Sequence, residues 1–205
     1  MRVAIVGGTG PFGTALAKRL KAAGDSVVLG SRDEARARDV AAPLGVDGAE
    51  NEEAVRGAEL VVLATKADAA VETARDLAAA IGDAPVLCVA SDLRFAKDGV
   101  RPGADATSIA ERVAEVVSGP VVAGLHSLAA SNLGADEVPD EDALVCGDDA
   151  EAKALALELA ARVTGGRALD AGPLASARVL EGLTAVIVNL NRRYKAHAGL
   201  RVTGI

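Results

Sequence analysis

Aromatic side chains are almost absent: the 205 residues include Phe12, Phe95 and Tyr194 and no tryptophan. Such a chain offers no platform of rings on which successive bases could stack, which argues against single-stranded nucleic acid as a partner. Cysteine is nearly as scarce. Cys88 and Cys146 lie far apart in apolar surroundings with no C-x-x-C pair, so they read as buried, reduced thiols and not as a disulfide or a metal site. No apolar run reaches membrane-spanning length. The N-terminus passes from Arg2 through a very short apolar run into glycines, leaving no signal-peptide core. Basic residues are outnumbered, 22 against 29 acidic, and the resulting net charge of -7 opposes extended contact with nucleic acid or an anionic membrane. A soluble, cytoplasmic protein with small-molecule partners is expected.

What is abundant is aliphatic. The 50% hydrophobic content is mostly Ala, Val and Leu, suited to buried parallel strands covered by alanine-rich helices. A chain of this length buries about 70% of its unfolded surface, enough for a sizeable core. Short apolar runs at 3–6, 26–29, 60–63 and 85–89 alternate with helical patterns such as 71–81, the signature of a doubly wound, mostly parallel Rossmann sheet. Residues 92–107 read as a long functional loop, ended by the capping box Ser108-x-x-Glu111 of a helix through Val117. Further strands are expected at 121–123, 143–146 and 168–169, with a helix at 151–163 between the last two. A small C-terminal helical part begins at Gly172-Pro173 and reaches Tyr194. Its Val179, Leu183, Val186, Ile187 and Leu190 form one apolar face, which must pack on the sheet or on a second subunit. The expected division is a nucleotide-binding domain at 1–172 and a helical segment at 173–205.

The most informative feature is the stretch Gly7-Gly8-Thr9-Gly10-Pro11-Phe12-Gly13, placed between an apolar strand and a helical pattern. Its register Gly8-x-Gly10-x-x-Gly13 is that of a dinucleotide site. One glycine allows the tight turn, the next lets the backbone approach a pyrophosphate, and the third lets the helix pack closely on the strand. The helix N-terminus then presents unpaired N-H groups to an anion. Pro11 suits the first helical turn, and Ala15, Leu16, Leu20 and Ala23 supply the buried stripe behind it.

The end of the second strand decides the cofactor. An acidic residue there would accept hydrogen bonds from an NAD ribose; this chain reads Gly30-Ser31-Arg32, a hydroxyl and a guanidinium that suit a 2'-phosphate. Asp33 stands about twenty residues after the glycine loop, close to the spacing of an NAD-selecting acid, but beyond the strand that ends at Leu29. NADP is therefore favoured over NAD. Arg36 and Arg38 can add positive potential, or can form an ordinary solvated charge run with Asp33, Glu34 and Asp39.

The order of motifs resembles the coenzyme F420-dependent NADP oxidoreductases. The resemblance rests on residues 1–13, on Leu29-Gly30-Ser31-Arg32, on Leu125-His126, on Val145-Cys146-Gly147-Asp148-Asp149, and on Leu169-Asp170-Ala171-Gly172-Pro173-Leu174 followed by Arg178, Glu181, Leu183 and Thr184. It implies reversible hydride transfer between NADP(H) and the C5 of an 8-hydroxy-5-deazaflavin, in a homodimer. The chain departs from that pattern at Ala90-Ser91-Asp92-Leu93 and His126-Ser127-Leu128-Ala129, where prolines are often found, and at Ala64-Thr65-Lys66-Ala67, which lacks an aromatic.

Ligands of open α/β sheets bind outside the carboxyl ends of the strands, and Ala64-Thr65, Ala90-Ser91 and Leu125-His126 stand at such ends. The candidate cofactor residues are Gly8, Thr9, Gly10, Pro11, Phe12, Gly13, Ser31, Arg32, Arg36, Ala64, Thr65, Ser91 and His126. His126 either hydrogen-bonds a substrate ring or fixes a strand-end turn, and the resemblance favours the first. Arg178 and Glu181, spaced i,i+3, can form an ion pair, and Thr184, one step further, can line the pocket. Arg192, Arg193, Lys195 and Arg201 can attract an anionic substrate tail or simply serve the helix dipole and solubility. An NADP-dependent imine or carbonyl reductase, and a non-catalytic NADP-binding redox sensor, remain alternatives.

Overall fold

Four consecutive apolar residues, Val3-Ala4-Ile5-Val6, have no exposed surface, the state of a strand flanked by strands and covered by helices on both faces. They belong to β1 (Arg2–Val6), in the interior of an eight-stranded sheet, in the computed structural model, which describes residues 1–205. The chain continues through α1 (Pro11–Ala22), β2 (Ser26–Ser31), α2 (Glu34–Ala41), β3 (Asp47–Glu50), α3 (Asn51–Val55), β4 (Leu60–Leu63), α4 (Ala67–Ile81) and β5 (Val86–Cys88). A separate antiparallel hairpin follows, β6 (Leu93–Ala96) and β7 (Gly99–Pro102). Then come α5 (Ile109–Ala114), β8 (Val121–Gly124), α6 (Ala130–Gly134), β9 (Ala143–Gly147), α7 (Ala150–Val163), β10 (Ala168–Asp170) and α8 (Ala177–Tyr194).

Across the sheet the strands lie in the order β10-β9-β8-β5-β4-β1-β2-β3. Every neighbouring pair is parallel except β8 and β9. The order turns back between β1 and β4, which opens a crevice at their carboxyl ends, where ligands of such sheets sit. One face is covered by α1 and α7, whose Leu16, Leu20, Leu159 and Val163 pack on Val3 and Ile5. The other is covered by α4, α5 and α8, with Leu77, Ile109, Val113 and Leu180 around Val61 and Val121.

The glycine loop packs as its spacing requires. A Cβ on Gly13 would stand 2.6 Å from the Gly8 Cα, so only glycine lets α1 come this close to the loop. Gly7 adopts φ 74 and, with a Cβ, would meet Thr65 Cγ2 at 2.9 Å.

Several expectations need correction. β2 does not end at Leu29 but runs on through Gly30 and Ser31, pairing with β3. β3 itself is a strand the apolar pattern does not mark, because Asp47-Gly48-Ala49-Glu50 is an edge strand with only Ala49 buried. Most of the stretch 92–107 expected as a loop is the β6–β7 hairpin. The helix opened by the Ser108 capping box stops at Ala114. Ala23 caps α1 and is exposed, so it lies outside the buried stripe. On α8 the buried side carries Ala177, Leu180, Glu181, Ala185 and Ile187, whereas Val179, Val186 and Leu190 face outward.

Candidate active site

At the carboxyl ends of β1, β2 and β4 lies a cleft of ≈ 430 Å³ lined by Gly7, Thr9, Gly10, Pro11, Ser31, Arg32, Arg36, Asn51, Ala64, Thr65 and Lys66, among others. Gly10 is the N-cap of α1 and carries no side-chain cap. A Cβ built on it would meet only the Gly7 carbonyl oxygen, at 3.4 Å, so the position opens onto the cleft and not onto protein. A backbone so placed, beneath the positive end of a helix, suits a pyrophosphate. Gly8 and Gly13 stand behind it as packing residues. Phe12 turns the other way, into a neighbouring cleft.

The cation side of this cleft is equally specific. Arg32 and Arg36 line it and form no hydrogen bond or ion pair through their side chains, while Arg38 is paired with Glu34 at 2.5 Å. Arg38 therefore falls outside the site. Ser31 is 9% exposed, and its Oγ accepts a hydrogen bond from Asp33 N at 3.2 Å. Asp33 does not line the cleft; its Oδ1 accepts from Arg36 N at 3.1 Å as the N-cap of α2. The one acid at NAD-selecting spacing is thus committed to a helix end.

Asn51 emerges only from the structure: 7% exposed, it lines the cleft with Oδ1 lacking a partner. Thr65, expected at the end of β4, lines it too, with Oγ1 unpartnered. Leaving such groups unsatisfied costs about 1–3 kcal/mol each, a cost that a polar ligand in the cleft would offset. Lys66 was also unforeseen and lines both this cleft and the next one. A dinucleotide with phosphates fits this donor set.

The adjoining cleft is larger, ≈ 760 Å³, and shares Ala64, Thr65 and Lys66 with the first. Its walls include Phe12, Val71, Val89, Ala90, Ser91, Leu93 and Phe95, with Asp68, Asp92, Asp105 and Arg112 at its polar side. Arg112 is paired with Asp105 at 3.0 Å.

Helix α8 holds these walls. Thr184 Oγ1 donates to the His126 carbonyl at 2.9 Å and shares a hydrogen bond with Ser91 Oγ at 3.0 Å. The Asn189 amide bonds both backbone groups of Val100, at 2.8 and 2.7 Å, fixing the hairpin. Arg178 donates to the carbonyls of Asp105 at 2.9 Å and Gly103 at 2.6 Å. It does not pair with Glu181. The Glu181 carboxylate, 1% exposed, instead accepts from Ile109 N at 2.6 Å, at the start of α5.

His126 lies one layer back. It is 6% exposed, lines neither cleft, and its Nε2 bonds the Ala90 carbonyl at 3.2 Å, leaving Nδ1 without a partner. Burial pushes its pKa down to about 4, so the ring is neutral at physiological pH. Leu125 before it adopts φ 64, a strained value for a branched residue. Cys88 and Cys146 are buried and free, with burial pushing the Cys88 thiol up to about 12.

Burial raises Glu181 from the ordinary 4.5 to about 7. A carboxyl whose folded pKa exceeds its unfolded one contributes stability below the unfolded pKa, and that stability is lost as pH rises through the folded one. The advantage at stake is about 3 kcal/mol at most. The unfolding free energy of wild type minus that of Glu181→Gln should therefore fall between pH 4.5 and 7 and stay level above. Urea titrations across that range check it, and a pH-independent difference would count against the raised pKa.

Comparison with known proteins follows the same lines. Residues 2–90 match the family model described as NADP oxidoreductase coenzyme F420-dependent. The F420-dependent NADP reductase of Methanocaldococcus jannaschii is 32% identical, over 100% of this chain and 99% of that protein. That of Methanothermobacter marburgensis is 34% identical, over 100% and 99%. The solved structure of an assigned F420-dependent NADP-reductase from Arthrobacter sp. FB24 superposes with TM-score 0.84 at 25% identity, covering 100% of both chains. An imine reductase from Streptomyces aurantiacus matches at TM-score 0.64 and 25% identity, over 95% of this chain but 62% of that one. The chain belongs to the coenzyme F420-dependent NADP oxidoreductase family.

Proposed function

We propose that this protein transfers a hydride reversibly between NADP(H) and the deazaflavin of coenzyme F420. The observation that carries this reading is the junction of the two clefts at Ala64, Thr65 and Lys66, which supports a dinucleotide in one meeting a flat ring in the other. Gly8, Thr9, Gly10, Pro11 and Gly13 form the pyrophosphate turn, and Ser31, Arg32 and Arg36 take the 2'-phosphate. Ala64 and Thr65 face the nicotinamide end; Phe12, Ser91 and Phe95 flank the deazaflavin. The chemistry supplied by the bound pair is hydride transfer from nicotinamide C4 to deazaflavin C5, with one proton taken from solvent. The protein's part is to hold two rings in contact and keep water out. His126 and Thr184 are positioning residues, acting through Ala90 and Ser91.

The imine-reductase alternative is disfavoured, because that enzyme extends well beyond the part it shares with this chain, whereas the F420-dependent relatives match end to end. A mere redox sensor would have no use for a second cleft of this size. The decisive experiment uses NADPH carrying deuterium on the reactive face of C4. The label should appear at C5 of the deazaflavin without loss to solvent, because a carbon acceptor retains the hydrogen. His126→Ala should slow transfer or raise the KM for F420 more than that for NADPH. Tight NADPH binding by a folded protein that neither binds nor reduces F420 would sink the proposal.

The division into 1–172 as nucleotide-binding domain and 173–205 as the segment that completes the deazaflavin site is supported by the anchors that α8 supplies. The outward Val179 and Val186, 73% and 52% exposed, border an apolar groove on α8 together with Leu183. A homodimer would cover this face. Val186→Glu should shift light-scattering mass from dimer to monomer; an unchanged mass would place the contact elsewhere.

A further inference from the structure

Cations that have no acidic or carbonyl partner gather at two places. Arg32, Arg36 and Lys66 line the dinucleotide cleft. Lys97, Arg192 and Arg193 line a second, smaller cleft of ≈ 310 Å³ between the hairpin tip and the end of α8. Lys21, Arg94 and Lys195 are the remaining lysines and arginines without a partner, and they line neither cleft. The one acid lining the small cleft, Asp98, is paired with Arg101, and Asn189 is committed to Val100. Arg201, grouped with these cations by its place in the sequence, is paired with Asp140 and lies elsewhere.

Arg192 and Arg193 stand in the last turn of α8, where the helix dipole alone would favour them. That does not explain Lys97, which comes from another element and converges on the same cleft. In a chain of net charge -7, three uncompensated cations around one cavity repel one another until an anion joins them.

The hairpin ties this cleft to the reaction. Leu93 and Phe95 line the large cleft, and Lys97 follows Phe95 by two residues, in the turn just past the end of β6. The phosphates of NADP are served from the other side, by Arg32, Arg36 and the glycine loop. We propose that Lys97, Arg192 and Arg193 bind the anionic tail, phosphate and carboxylates, of the deazaflavin substrate. This rests on the hydride-transfer reading above.

The test compares F420 with 8-hydroxy-5-deazariboflavin, which keeps the ring and lacks the phosphate and glutamates. The KM of the wild-type protein for F420 should be lower, on the order of tenfold, as expected for several exposed charge contacts. The advantage should shrink with added salt. The triple variant Lys97→Ala/Arg192→Ala/Arg193→Ala should raise the KM for F420 to that for the truncated ring, leaving the latter and the KM for NADPH at wild-type values. Equal wild-type KM values for the two flavins, or a variant that weakens both alike or neither, would overturn the tail site alone. A folded wild-type protein that binds NADPH and reduces neither flavin would overturn the hydride-transfer reading and the tail site with it.

Discussion

Gly10→Val is expected to weaken NADPH binding more than about a hundredfold in a protein that still folds. The position has φ -80 and ψ 165, an extended conformation in which a β-branched residue is at ease. Its Cβ would touch no part of the protein closer than the Gly7 carbonyl oxygen at 3.4 Å. The added isopropyl group therefore occupies only space in the cleft. There it would block the approach of phosphate oxygens to backbone donors, and charge-assisted hydrogen bonds of this kind are worth about 1.5–3 kcal/mol each. Losing one or two of them accounts for the expected factor. Gly13→Val makes the contrast, because its Cβ would start 2.6 Å from the Gly8 Cα and force α1 off the loop. Calorimetric NADPH binding and thermal unfolding of both variants separate the cases. Gly10→Val should lose the ligand and keep a cooperative transition; Gly13→Val should lose the transition. A folded Gly10→Val protein that binds NADPH normally would reduce the glycine loop to a structural turn.

The sheet's interior and the glycine loop are legible in the sequence for one physical reason. A parallel strand buried on both faces must be apolar at every position, so Val3-Ala4-Ile5-Val6 and Leu60-Val61-Val62-Leu63 announce themselves. The same logic hides β3, an edge strand with a single buried residue, and with it Asn51, the first residue of α3. It also hides the hairpin, whose β6 is largely exposed and pairs only with β7.

Helix α8 shows a different limit. Its apolar residues mark a stripe, and burial is the default reading of a stripe. In the structure α8 instead leans on loops, on β7 and on the start of α5, which expose backbone N-H and C=O groups, so the inner face needs Arg178, Glu181, Thr184 and Asn189 to satisfy them, while Val179 and Val186 remain outside. Which cations are free is equally a tertiary fact. Arg36 and Arg38 are indistinguishable as letters on one helix, yet Arg38 meets Glu34 one turn back and Arg36 opens onto the cleft.

Removing the guanidinium of Arg32 should cost the protein its cofactor preference. Arg32→Ala is expected to raise the KM for NADPH about ten- to a hundredfold, the value of one charged contact to a phosphate. The KM for NADH should change less than about threefold, since NADH has no 2'-phosphate for the side chain to hold. Three features favour this outcome. Arg32 is exposed, lines the cleft and has no partner of its own, so the substitution disturbs no fold-stabilising contact. Ser31, beside it at the end of β2, keeps its place through Asp33 N. Asp33, the acid that could turn the site toward NAD, is held as the cap of α2 by Arg36 N. For that last reason Arg32→Ala should lose NADPH without gaining NADH, and adding Arg36→Ala should deepen the loss. Steady-state kinetics with both cofactors, at fixed F420 and low salt, measure each ratio. An equal loss of NADPH and NADH would mean that Arg32 supports the cleft as a whole and does not read the phosphate.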